Sequence, residues 1–111
     1  MHPLLAPRSP IVNAKYRGWL SLNERGELYM LGEGDLLKVL QRDRARFGNE
    51  VRLRFFSANQ EFPAEQLKGQ RWKSEGAIRV DSLMRTRNLD LLAPLRQHIG
   101  KFVHLEVEWR R

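Results

Sequence analysis

A chain of 111 residues with 20 Lys and Arg against 13 Asp and Glu carries a formal charge of +7, which favours polyanions as electrostatic partners. Its 41% hydrophobic content is that of a folded protein and excludes a disordered one, while the length allows one domain with one core. With no cysteine, disulfides, thiolate catalysis, zinc ribbons and iron–sulfur sites are excluded.

Residues 1–14 hold Pro3, Pro7 and Pro10 and no periodic pattern, so they read as an extended or flexible leader to a single domain over residues 15–111. The leader is too short and too Pro-rich for a secretory signal, and no apolar run reaches the ~18 residues of a membrane span. The expected location is cytoplasmic, without a membrane partner.

In Tyr16-Arg17-Gly18-Trp19-Leu20-Ser21-Leu22, Tyr16, Leu20 and Leu22 share one strand face. Arg17, Trp19 and Ser21 take the other. Asn23-Glu24-Arg25-Gly26 then supplies a hairpin turn, and Glu27-Leu28-Tyr29-Met30-Leu31 returns as a second strand. Gly32-Glu33-Gly34-Asp35 breaks that strand and puts an acidic residue at a helix start, where free N–H groups favour it. Leu36, Leu37, Leu40 and Phe47, flanked by Val39, recur near the helical period, which predicts an amphipathic helix over 35–47. Gly48-Asn49 stops it.

Val51, Leu53 and Phe55 alternate with Arg52 and Arg54 as a half-buried strand. Asn59-Gln60-Glu61-Phe62-Pro63 reads as a loop, and Pro63 opens a short helical turn through Leu67. Ile78 and Val80 suggest a fourth strand. Asp90 is placed to cap a second helix carrying Leu91, Leu92, Leu95 and Ile99, with Pro94 tolerated in its first turn and Gly100 ending it. Val103, Leu105, Val107 and Trp109 alternate with His104, Glu106 and Glu108 in a final strand. The expected fold is α+β in the order β-β-α-β-β-α-β, one mostly antiparallel sheet with two helices packed on one face.

Four groups of residues are candidates for function. Lys38, Arg42 and Arg46 stand at i, i+4 and i+8 on the helix side opposite the leucines, with Arg44 to one side. Such a row can track phosphates, or it can be an ordinary solvated face softened by Asp35 and Asp43. Arg52 and Arg54 share a sheet face with Phe56, a combination that suits RNA or single-strand binding. The competing reading is structural: Glu106 and Glu108 show the mirrored pattern and would neutralise them if the two strands are neighbours. Trp19, Tyr29 and Leu31 put apolar groups on the second face of the hairpin. Either a loop of the same chain covers them, or they form a protein interface with Arg17 beside them. Lys68, Arg71, Trp72 and Lys73 make a basic loop with one aromatic, fit to enter a groove or simply to cap the core.

His98 and His104 have no metal-ligand spacing, and Gly32-x-Gly34 lacks the rest of a phosphate loop. No nucleophile–base signature is present, so neither an enzyme, nor a metal, nor a cofactor is expected. The sequence points to a binding protein whose partner is a nucleic acid, DNA or RNA, held through Lys38, Arg42, Arg46, Arg52, Arg54, Arg71, Trp72 and Lys73. The alternative is a protein-interaction module, an inhibitor, adaptor or accessory subunit, docking on an acidic partner or on itself as a homodimer through Arg17, Trp19, Tyr29 and Leu31.

Overall fold

The final strand of the sequence forms the spine of the molecule. A computed structural model describes residues 11–67, 78–87 and 89–111. The elements run β1 (Val12–Leu22), β2 (Leu28–Met30), β3 (Gly34–Asp35), α1 (Leu36–Phe47), β4 (Glu50–Ala58), a 3₁₀ turn (Ala64–Leu67), β5 (Ile78–Arg79), β6 (Arg85–Thr86), β7 (Leu89–Asp90), a second 3₁₀ turn (Ala93–His98) and β8 (Phe102–Arg110). Six strands form one sheet in the order β3-β2-β1-β8-β4-β5, and β6 and β7 pair apart from it as a hairpin. Every strand pairing is antiparallel, giving an α+β fold.

β8 occupies the middle because its alternation serves two neighbours and two faces. On one side it pairs with β1 from Val12↔Trp109 to Trp19↔Phe102; on the other it pairs with β4 from Glu50↔Arg110 to Ala58↔Phe102. Val103, Leu105, Val107 and Trp109 turn to the main core, where they meet Tyr16, Leu20 and Met30 from the hairpin and Leu36, Val39 and Leu40 from α1. Leu92 and Leu95 around the second 3₁₀ turn join the same cluster. A smaller cluster lies on the reverse of the sheet, where Phe62 and Leu67 cover Phe102 beside Trp19, Phe56 and Ala58.

Two close approaches fix how the chain wraps. β1 pairs with β2 only through Leu20, Ser21 and Leu22, and the backbone beyond Met30 then crosses over Gly18. A β-carbon at Gly18 would run into the Leu31 carbonyl and the Met30 side chain. α1 ends at Gly48, whose φ of 128° and ψ of 176° belong to glycine alone. A β-carbon there would collide with the Arg110 carbonyl, so the helix end and the end of β8 are pressed together.

Several elements differ from the sequence expectation. β1 begins at Val12, inside the stretch read as a leader, because Val12 and Ala14 pair with Trp109 and Val107 and pack on the core. The expected helix around Leu92 and Leu95 is a 3₁₀ turn of six residues, and Asp90 lies in β7, where it accepts the Leu92 N–H at 2.9 Å. Asp35 stands at the N-cap of α1 without a side-chain capping bond; its carboxylate takes the Asn23 amide at 2.9 Å instead. Leu22, expected on the buried face with Tyr16 and Leu20, is exposed at the end of the hairpin.

Candidate nucleic-acid interface

The helix row forms as its spacing requires. α1 buries Leu36, Val39 and Leu40 and leaves Lys38, Arg42 and Arg46 exposed. Successive members of the row are four residues apart, about 6 Å along the axis. Lys38 is 66% exposed and reaches Asp35 at 3.6 Å; Arg42 is 63% exposed and its Nε donates to Asp43 Oδ1 at 3.2 Å. The partly exposed Lys38–Asp35 pair holds its lysine weakly, at ~0.2–1 kcal/mol, so Lys38 stays available to a stronger anion, whereas the carboxylate that Arg42 meets is buried. The Asn23 amide, followed by Lys38, holds the Asp35 carboxyl below its ordinary value.

Asp43, the one acid within the helix, is divided between the row and the core, and its Oδ1 accepts from Arg42. It is buried, and its Oδ2 accepts the Tyr16 hydroxyl at 2.5 Å. Trp109 Nε1 in turn donates to the Tyr16 oxygen at 3.3 Å. One carboxylate oxygen is therefore used inside the fold and the other on Arg42, against four cations carried by α1.

At that end the row continues into a shallow groove lined by Arg44, Ala45, Gly48, Asn49 and Arg111. Arg44 Nε donates to the Val80 carbonyl at 3.0 Å and Arg111 Nη2 to the Arg46 carbonyl at 2.5 Å, which orients both guanidinium groups. Arg44 and Arg46 also oppose the partial negative charge of the helix C-terminus. Arg111 was not legible as part of this site, since only the pairing of β8 with β4 brings the chain end to α1.

The sheet face carries charge of a different kind. Register pairs Arg54 with Glu106 and Arg52 with Glu108, so the strands that bear them are neighbours. Arg54 donates to Glu106 Oε2 from Nε at 2.8 Å and Nη2 at 2.5 Å, and the two side chains are only 19% and 14% exposed. Lys15 lies across from Glu106 on the other side of β8. Glu50 stands between Arg110 and Arg79, bonding to Arg79 at 3.0 Å. Glu106 and Glu50 thus sit between cations, Glu108 faces Arg52 with Asn13 on its other side, and Arg52 and Arg54 belong to that cross-strand ladder, apart from the helix row.

Trp19, Tyr29 and Leu31 part company. Trp19 is half-buried, edge-on to Phe102 at 5.6 Å and packed on the cluster that Phe62 and Leu67 close. Tyr29 is half-buried on β2, Leu31 is 60% exposed, and Arg17 is exposed on β1. Arg71, Trp72 and Lys73, with Lys68, lie outside the described residues.

The two described histidines are engaged locally. His104 is buried beneath Phe62; its Nε2 meets the Phe62 carbonyl at 2.8 Å, and because a carbonyl only accepts, that nitrogen carries the proton. His98 Nδ1 and Ser57 Oγ share a hydrogen bond of 2.6 Å, with the Phe55 ring edge-on at 4.9 Å. Among the described residues no group of three His, Asp or Glu could hold a metal, and no helix is long and apolar enough to cross a membrane. Compared with known proteins, the chain matches no family model, no curated protein and no solved structure.

Proposed function

We propose that this chain is a small non-enzymatic nucleic-acid-binding protein that works through phosphate contacts. The observation that carries the reading is the exposed row Lys38, Arg42 and Arg46, whose only intervening carboxylate, Asp43, is buried and shared between Tyr16 and Arg42. Each phosphate neutralised by such a cation releases condensed counterions, so binding falls steeply with salt. Arg44 and Arg111 extend the row around the helix end. Arg52 and Arg54 take a lesser part in this reading than the sequence suggested, because Glu106 and Glu108 face them.

The test is fluorescence anisotropy with labelled nucleic acid at about 50 and 200 mM salt. Replacing Lys38, Arg42 and Arg46 together by Ala should weaken binding to every sequence and lower the slope of log K against log salt by about 3. Affinity and slope that survive the triple change would remove the row from the interface. The second reading, a protein-interaction module or homodimer, rests on Leu22 and Leu31 exposed at the hairpin beside half-buried Tyr29. Self-association that is indifferent to salt, and lost in Leu31→Asp, would favour it.

A further inference from the structure

We infer that the ligand of the helix row is double-stranded nucleic acid, gripped by its phosphate backbone; this rests on the proposed nucleic-acid reading and narrows it. Proteins that hold single strands lay successive bases on exposed aromatic rings beside a basic track. Here, among the described residues, every aromatic ring but Tyr29 packs in or against one of the two core clusters, and Tyr29 is half-buried on β2. Tyr16 and Trp109 are inside the main core, and Phe62 and Phe102 close the reverse cluster. Trp19 and Phe56 are half-buried against that second cluster, and Phe55 is half-buried against His98.

The ring beside the last cation of the row is equally occupied. Phe47 is half-buried against the core, and the Arg46 guanidinium lies 5.1 Å over its centre. The sheet face that could have served as a stacking platform is closed at its aromatic end by Phe62 and Leu67 and charge-paired at the other by Arg54 and Glu106. What the row offers is a set of cations on a convex helix, spaced about 6 Å apart. Such a surface reads charge density and backbone geometry. A duplex presents one phosphate charge per ~1.7 Å of axis from its two strands, the densest array available to a rigid row.

The geometry is common to DNA and RNA duplexes, and the experiment separates them. The full chain is titrated against a labelled DNA duplex, an RNA duplex, the separated strands of each, and a DNA duplex of scrambled sequence. Expected is binding to a duplex roughly tenfold tighter than to its strands, equal for the two sequences, with the preference lost in the Lys38→Gln, Arg42→Gln, Arg46→Gln variant. Circular dichroism confirms that this variant is folded, since the three side chains are exposed. Preference for one duplex over the other supports the inference and names the sugar.

Separated strands bound as tightly as the duplex would overturn the inference and leave nucleic-acid binding standing. A strong preference for one base sequence would overturn its backbone-only form. Binding to none of the probes at about 50 mM salt would overturn both it and the function it rests on.

Discussion

Tyr16 is the residue on which the fold and the exposed row meet. Its hydroxyl donates to buried Asp43 and accepts from Trp109, so one phenol satisfies two polar groups inside the core. Tyr16→Phe leaves the carboxylate and the indole N–H each short of a partner, at a cost of about 1–3 kcal/mol in chemical denaturation. Burial, reinforced by the bond to Asp43, pushes the Tyr16 phenol well above its ordinary value. The native state therefore keeps a proton that the unfolded chain gives up near pH 10, and the stability this confers is whole below that pH and falls as pH rises beyond it. The chain has two tyrosines, so Tyr29→Phe isolates the signal. Tyrosinate absorbance should then appear together with loss of far-UV dichroism; its appearance in a folded protein near pH 10 would contradict the network. Gly48 sets a second residue-scale constraint. Gly48→Ala must abandon a conformation open only to glycine and clear the Arg110 carbonyl, which predicts a loss of at least about 1–3 kcal/mol.

At the scale of elements, the ladder across β1, β8 and β4 explains why so basic a chain carries a sheet face of mixed charge. Arg54 and Glu106 are mostly shielded from water, so removing one leaves the other desolvated without its main partner. Arg54→Met and Glu106→Met should each cost about 1–3 kcal/mol, while the double change should cost less than their sum. A double-mutant cycle by thermal denaturation measures this coupling; additive losses would show that the pair contributes nothing specific. The strong alternations were legible in the sequence: Val51, Leu53 and Phe55 against two arginines, and Val103 to Trp109 against two glutamates, from which the pairing itself was foreseen as one of two readings. The periodicity of Leu36, Leu37 and Leu40 likewise showed the helix and its cationic back. What escaped had no local signal. The start of β1 at Val12 depends on a partner about a hundred residues away. The β6–β7 hairpin is entered through Met84 and turns at Arg87, both at positive φ, where these residue types announce no turn. Arg111 reaches the helix row only because β8 delivers the chain end to Arg46.

For the whole molecule, the two charged surfaces have opposite relations to stability, and this separates binding from folding. The sheet ladder is tied into the fold through a partly buried pair, whereas Lys38, Arg42 and Arg46 stand outside the core behind Leu36, Val39 and Leu40. A ligand that binds only the native state raises its stability by about 2.7 kcal/mol at a hundredfold excess over Kd. In a domain of this size that amounts to a rise of roughly 4–8 °C in Tm per kcal/mol at the lower end of the domain range, and somewhat less for longer chains. Adding a short DNA duplex at that excess should therefore shift the melting curve of the wild-type chain upward by roughly 10 °C at low salt. The triple helix variant should melt near the wild-type temperature alone and lose the shift. The Arg54→Met variant should do the reverse, melting lower alone yet keeping the shift, because its guanidinium is committed to Glu106. If both variants lost the shift equally, the phosphates would be reading the sheet face as well as the helix. The division between a structural ladder and a binding row would then have to be abandoned.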